Sequence, residues 1–545
     1  MTLSIQQRRT LMNDKIISVN RRQLLQLLAG GGAGLALSGL PGIAAASGRK
    51  ETLVIGLDIS DTITLDPGRQ AQYTPPLTLL AAYDMLDTMN PGNYTAVVPA
   101  LATSWARTSD GKGWRLSIRQ GVKFATGNVM TVDDVVWSFE RLRGLNDQPW
   151  LYLKNIEAVT AVDDKTIDVL LKDPAAPIMD LLASPTWAIY ERKVLEKHGG
   201  VGGAGDKATD WLNGHSCGTG AYSVAAWERN VQIQLVQNPH YWRGKPGFQR
   251  IVIRHLPDSA AQLLAVERGD VDVAFNLLPE QIGGLKNNSK VRIEKLPSLD
   301  FIYMAVTQNP EFNKALAIKE ARQAIGYSID YDGIKNGLLG GYAQRPASFL
   351  PIGVIGSTEE IARKIGFRQD LDHAKELLKK AGLPNGFEFD LSYGNATIAG
   401  VSYQILGQKI QSDLARVGIK VNLKPVDQVN LRTAYTTGKS TAVLTFWNPP
   451  AVADELWAQA TVGRVAKRVH WTPPQELQDL VRRATVEADP AKQSDLWVEY
   501  QKQMVDQANL VILFQPIYRI AVRNDVKSFP LTAAGWQADL RNAHR

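Results

Sequence analysis

The chain has one cysteine, Cys217, in 545 residues. No internal disulfide can form, so an exported version of this protein must rest on a large apolar core. The seven histidines lie at 198, 215, 240, 255, 373, 470 and 544, with no close pair and no cysteine cluster beside them. That scatter argues against a metal in the protein's own fold, and no cofactor site is visible. Past residue 46, no apolar run approaches the ~20 residues that a spanning helix needs. Excess charge is also scarce. The formal net charge is +7, and residues 1–46 supply +4 of it through Arg8, Arg9, Lys15, Arg21 and Arg22 against Asp14. The remaining +3 is spread over a long chain, without the basic patch or stripe that nucleic acid requires.

What is present begins with a leader. Residues 20–46 read NRRQLLQLLAGGGAGLALSGLPGIAAA. A twin arginine, a Gly/Ala/Leu core and Ala44-Ala45-Ala46 make a secretory signal. Arg21-Arg22-Gln23-Leu24-Leu25 resembles the twin-arginine type. A retained anchor is the alternative, but Pro41 and the small residues after it favour removal. The expectation is a signal peptide over 1–46 and a soluble exported chain, with translation starting at Met1 or Met12. The remaining length suits two or three domains.

The stretch from Val98 to Leu142 has a clear local logic. Asp110-Gly111 with Gly113 signals a hairpin, and Trp114, Leu116 and Ile118 alternate with polar residues as a half-buried strand. Thr131 reads as an N-cap, with Asp133 and Asp134 in the first turn and Val132, Val135, Val136 and Phe139 on one helical face. Nothing in it is catalytic. Its pattern is P-x-L-A-x-S-W, then D-G-x-x-W and R-x-G-V-K-F-x-x-G, then D-V-x-x-S-F-E-R. It resembles the large extracytoplasmic solute-binding proteins (family 5) that serve peptide, nickel and opine ABC importers. Further matches run from about 52 to 525. They include Leu65-Asp66-Pro67, Gly218-Thr219-Gly220-Ala221-Tyr222 (Ala221 replacing the usual proline), Asn238-Pro239-x-Tyr241-Trp242, Gly269-Asp270-Val271-Asp272, and Arg322-Gln323-Ala324 through Ile329-Asp330.

Two motifs are decoys. Gly200 to Gly205 fits G-x-G-x-x-G, but a dinucleotide fingerprint follows a strand and opens a helix, and this one follows a polar helical tail. Gly214-His215-Ser216-Cys217-Gly218 fits G-x-S-x-G, but strand-like residues follow where a nucleophile elbow needs a helix. Residues 75–89 read as one helix with Pro75 in its first turn. From about 300, helix and strand patterns alternate in a βαβ rhythm.

The resemblance implies an α/β periplasmic-binding-protein-like type II fold, two lobes with a hinge plus an extra inserted domain. It implies lobe I over 47–90, 216–298 and 515–545, the inserted domain over 91–215, and lobe II over 299–514. It also implies three cleft-lining stretches, from which Gln72, Tyr73, Tyr393, Asn395, Phe446, Trp447, Asn448 and Asp454 are the candidate ligand residues. Trp447 is either a stacking platform or ordinary lobe packing. Peptide-binding relatives place an aspartate just past the strand of the third stretch, Thr445 to Asp454, where a rough register puts Phe446. Dipeptide-binding relatives use an arginine near 393–397, where this chain reads Tyr-Gly-Asn-Ala-Thr. Both charged anchors are missing or moved. The expected function is non-enzymatic: a periplasmic, monomeric binding component that captures a small polar solute and hands it to an inner-membrane permease. Peptide is the default, and an opine, oligosaccharide or metal chelate is the alternative. The different-class rivals are a serine hydrolase at Ser216 and an export chaperone.

Overall fold

The computed structural model describes residues 50–545 except 71, 91–92, 146, 148–154, 175–177, 396, 448–453, 488 and 533–537. The leader and Asn448 lie outside the described residues. The alternating apolar segments pair into a 12-stranded mixed sheet. Strand Thr52–Leu57 runs parallel to Arg250–His255 and to Val273–Ala274. Arg250–His255 continues antiparallel through Gln232–Gln237 to Tyr222–Glu228. At the other end, Glu388–Tyr393 runs parallel to Lys420–Pro425 and Ala442–Trp447, and the latter pairs antiparallel with Phe301–Val306. Helices between the parallel strands cover their faces, which keeps apolar side chains on both sides out of water.

One long strand, Leu510–Arg523, belongs to both groups. Its first residues pair with Phe301–Val306, and residues 517–523 pair with Val291–Pro297. The backbone therefore passes between the two groups at 298–300 and again at 515–516. Gln515, fully buried at the second crossing, locks the first: its Nε2 donates to the carbonyls of Ser298 (2.6 Å) and Ile352 (2.9 Å), and its Oε1 accepts from the Ile352 N–H (2.7 Å).

A separate four-stranded sheet, in the order Ala102–Arg107, Gly113–Ile118, Thr166–Leu171, Ile156–Ala161, is built from the 98–142 stretch and its sequel. Gly111 takes the left-handed turn position (φ +70°). The helix Val132–Leu145 starts with reciprocal capping: Asp134 Oδ2 accepts from the Thr131 N–H (2.8 Å) and hydroxyl (2.7 Å), while the Asp134 N–H donates to the Thr131 hydroxyl (3.4 Å). Its Val135, Phe139 and Leu142 pack on Leu116, Ile118, Ile167 and Val169.

The helix expected over 75–89 is shorter. It covers Pro75–Ala82, Tyr83 is extended, and Asp87–Asn90 is a strand paired with Asn93–Pro99. The reason is a buried polar node at Asp84. Its Oδ2 accepts from the Thr219 hydroxyl and the Trp242 indole N–H, both at 2.9 Å, and Arg541 lies 3.7 Å from Oδ1. Continuing the helix would take that carboxylate away from three partners. The turn can approach only because Gly218 and Gly220 lack side chains: a Cβ on Gly220 would sit 2.4 Å from the Ala82 carbonyl carbon.

Leu65-Asp66-Pro67 and the S-F-E-R helix meet in a second node. Arg141 is fully buried and donates to both oxygens of Asp66 (3.0 and 2.7 Å) and both of Asp206 (2.9 Å each). Burial pushes the Asp66 carboxyl up, but Arg141 and Thr209 outweigh it and hold the group below the usual carboxylate range. The Gly200–Gly205 segment is the loop that folds Asp206 over this arginine, with the Val201 N–H donating to Asp206 Oδ2 (3.0 Å).

Candidate functional site

Asp61, in the loop after the first strand, accepts the backbone N–H groups of Tyr73 (2.9 Å) and Thr74 (3.0 Å) through Oδ2. These groups open the helix Pro75–Ala82, where a carboxylate is favoured. Burial nevertheless raises the Asp61 carboxyl above its ordinary range. Gln70 folds back, its amide donating to the Gln72 carbonyl. With this backbone fixed, the Tyr73 side chain reaches Asp300 in the first crossing and Tyr518 just past the second. Its hydroxyl lies 2.6 Å from Asp300 Oδ2 and 2.5 Å from the Tyr518 hydroxyl, and Tyr518 donates to the same Asp300 oxygen at 2.9 Å. Asp300 and Tyr518 are buried. Burial first, and the Asp300 charge second, push both phenols well above their usual range, so both remain hydrogen-bond donors at any physiological pH.

The Tyr73 ring also stands edge-on to Phe446, 6.1 Å between centroids at 84°. Tyr73 thus joins the first strand group to the second through one aromatic contact and one hydroxyl cluster. A second contact lies nearby. Gly400, at φ +82°, packs so closely on Leu277–Pro279 that a Cβ would meet Pro279 Cδ at 2.8 Å. The Tyr403 hydroxyl is buried, feels the Asp300 charge, and has no hydrogen-bond partner among the described residues.

The other candidates are distributed unevenly. Phe446 and Trp447 are neighbours on a strand and point to opposite faces. Phe446 packs with Tyr73 in the larger core. Trp447 is buried in the second cluster, with Phe349 at 4.8 Å and the Arg464 guanidinium 4.9 Å from its ring. Tyr393 is buried at the end of its strand, Gln72 is half-buried and Asn395 is exposed. Asp454 opens the helix Asp454–Ala460. Tyr73 and Phe446 are therefore together, whereas Trp447 faces away from them. Sequence reasoning missed Asp61, Asp300, Tyr403 and Tyr518. The one available signal was Asp300, an acid placed directly before the wholly buried strand Phe301–Val306.

The G-x-S-x-G residues have structural partners. Ser216 Oγ accepts from the Val224 N–H (2.9 Å), and His215 Nδ1 lies 3.1 Å from the Trp211 carbonyl. Burial pushes the Cys217 thiol up, away from the thiolate form. Asp272 of G-D-V-D accepts from the Val54 N–H (2.7 Å) and from Arg545 (2.7 Å). No group of three or more metal-ligating side chains occurs among the described residues, and no helix among them is long and apolar enough to cross a membrane.

The chain has relatives among known proteins. It is 28% identical over 496 residues to the probable D,D-dipeptide-binding periplasmic protein of Escherichia coli K12, covering 89% of this chain and 93% of that one. The periplasmic binding protein DppA of Helicobacter pylori, solved with the peptide STSA, superposes with a TM-score of 0.76 at 22% identity, covering 90% of this chain and 98% of that one. AgaA of A. tumefaciens R10, solved with agropinic acid, gives 0.74 at 24% identity, covering 90% and 97%. These likenesses show the fold. Residues 96–464 match the model of the bacterial extracellular solute-binding proteins, family 5 (middle region). The chain belongs to the family 5 bacterial extracellular solute-binding proteins.

Proposed function

We propose that the protein is the substrate-binding component of an ABC importer. It captures a small polar solute in a cleft between two lobes and delivers it to an inner-membrane permease. It works in the periplasm as a monomer, after export on a twin-arginine signal over 1–46, and does no chemistry. Lobe I comprises 47–90, 216–298 and 515–545, the inserted domain 91–215, and lobe II 299–514. The two crossings, 298–300 and 515–516, are the hinge. The observation that carries this reading is the Tyr73 contact, in which one side chain of the first lobe touches Asp300 of the first hinge segment, Tyr518 just past the second, and Phe446 of the second lobe.

Closure brings Tyr73 to Phe446 and Gly400 to Pro279, and excludes water from between them. A solute that touches both walls binds the closed form better and shifts the population toward it. The permease reads that shape. A peptide is the first choice of solute, in keeping with the E. coli and H. pylori relatives. An opine follows from the agropinic-acid complex, and a chelate or oligosaccharide is the remaining alternative.

The test is a thermal-shift screen on the chain from Ser47, unfolded and refolded to strip bound solute. The panel holds dipeptides, oligopeptides, opines, oligosaccharides and metal chelates. One class should raise the melting point by several degrees, because a ligand at ~100 times its Kd stabilises the native state by about 2.7 kcal/mol. The solute should be recovered unchanged. A silent panel, with native mass spectrometry of the unstripped protein also empty, would contradict the reading, and turnover of the solute would favour the hydrolase.

A further inference from the structure

Arg519 sits four residues past Gln515 on the long strand, facing away from the Tyr518 cluster, since adjacent strand residues point to opposite faces. It is 7% exposed. A guanidinium carries five N–H donors and keeps its charge, so burial normally brings it a carboxylate or several carbonyls. The protein's other buried arginines follow that rule. Arg141 has two carboxylates, and Arg322 has the carbonyls of Leu316, Ala317 and Gln507. Arg519 does not. Among the described residues no hydrogen bond or ion pair is made by its side chain. Its one close partner is the face of Tyr342, 4.4 Å from Cζ to the ring centroid. Burial pulls the guanidinium below its usual range, and Tyr342 and Glu280 offset this only in part.

The surroundings are those of a receptor. Lys295 directly opposes Arg519 in the strand ladder, and its ammonium lies 5.0 Å from the same Tyr342 ring. Lys295 is exposed, so the pair is reached from solvent. Gly340 adjoins the guanidinium: a Cβ there would make ordinary contact with Pro279 (3.7 Å) and an Arg519 terminal nitrogen (3.9 Å). The walls come from both sides of the crossing, with Lys295, Arg519 and Pro279 on one and the 340–342 turn on the other.

We propose that Arg519, Lys295 and Tyr342 form an oxyanion site at the seam between the two strand groups, with Arg519 as the bidentate donor and Lys295 as the second charge. The oxyanion is either the carboxylate of the captured solute or a free inorganic anion that bridges the seam. The first source rests on the binding-protein reading and supplies the carboxylate anchor absent from 393–397. The second does not depend on it.

The experiment has two arms, each on the stripped chain from Ser47, with Arg519→Gln, Arg519→Lys and Lys295→Ala beside the wild type. In the first, melting points are read in sodium sulfate and sodium acetate against sodium chloride at equal ionic strength. In the second, Ala-Ala and D-Ala-D-Ala are compared with their C-terminal amides. Arg519→Gln should melt no lower than wild type in chloride, because no hydrogen bond or ion pair of the guanidinium to a described residue is lost. A free-anion site predicts that sulfate or acetate raises the wild-type melting point by at least about 2 °C. Arg519→Gln should lose that rise, and Arg519→Lys and Lys295→Ala should keep part of it. A solute-carboxylate site predicts that a dipeptide binds at least about tenfold better than its amide to wild type and equally to Arg519→Gln. Equal responses of wild type and Arg519→Gln in both arms would overturn the proposal, as would a large loss of stability for Arg519→Gln in chloride. If dipeptides are silent and the anion response is present, the site stands and the peptide reading falls.

Discussion

At the residue scale, buried polar side chains either have partners or do not. Arg141 is held between Asp66 and Asp206, all three buried. Replacing it with methionine leaves two carboxylates without a counter-charge and should destabilise the protein by about 3–5 kcal/mol, read by urea unfolding. The same node sets an acid limb. The Asp66 pKa is lower folded than unfolded, so its contribution is complete at neutral pH, begins to fall near the unfolded value of about 3.9, and is lost as pH drops through the folded value. Asp66→Asn should flatten that limb in unfolding titrations between pH 6 and 3. Tyr73→Phe removes one hydroxyl from Asp300 and should cost about 1.5–3 kcal/mol of closed-state stability, read as weaker solute affinity with little change in apo melting point. An equal loss in the apo melting point would make Tyr73 a core residue rather than a clasp. None of these partnerships was legible in the sequence. Asp66, Arg141 and Trp242 stand out there as motif letters, but the motifs do not say that Asp66 meets Arg141 or that Asp84 gathers Thr219 and Trp242. Those pairings bridge 75 to 158 residues of chain.

At the element scale, the local signals served well where one period dominates. The Asp110-Gly111 hairpin, the Thr131 cap and the Val132–Leu145 helix all follow from alternation, turn chemistry and capping, which act over a few residues. They failed where a tertiary partner outweighs propensity, as at Tyr83–Asp84, where the helix gives way to a buried carboxylate node. They also could not choose between Phe446 and Trp447, because the strand period fixes only that the two differ in face. Close backbone approach makes a prediction here. Gly220→Ala should destabilise by at least about 2 kcal/mol, since a Cβ would overlap the Ala82 backbone. Gly400→Ala has a different signature. Its side chain would meet Pro279 across the seam, so solute affinity should fall by more than the apo melting point implies.

At the scale of the whole molecule, the architecture is a sheet shared by two strand groups, crossed by the backbone at 298–300 and 515–516, with Tyr73 in contact with Asp300 and Phe446. On the proposed reading, two stiff bodies rotate about these crossings while their cores stay packed. Gln515 makes the crossing specific, and Gln515→Ala should loosen the register of the two segments without emptying either core. The most direct test of the account is small-angle scattering of the stripped chain from Ser47, before and after saturation with whichever solute raises its melting point. The account predicts a smaller radius of gyration on binding, with Tyr73→Phe starting more expanded than wild type. An unchanged scattering curve at full occupancy would contradict it, because the solute would then be bound without closing the lobes.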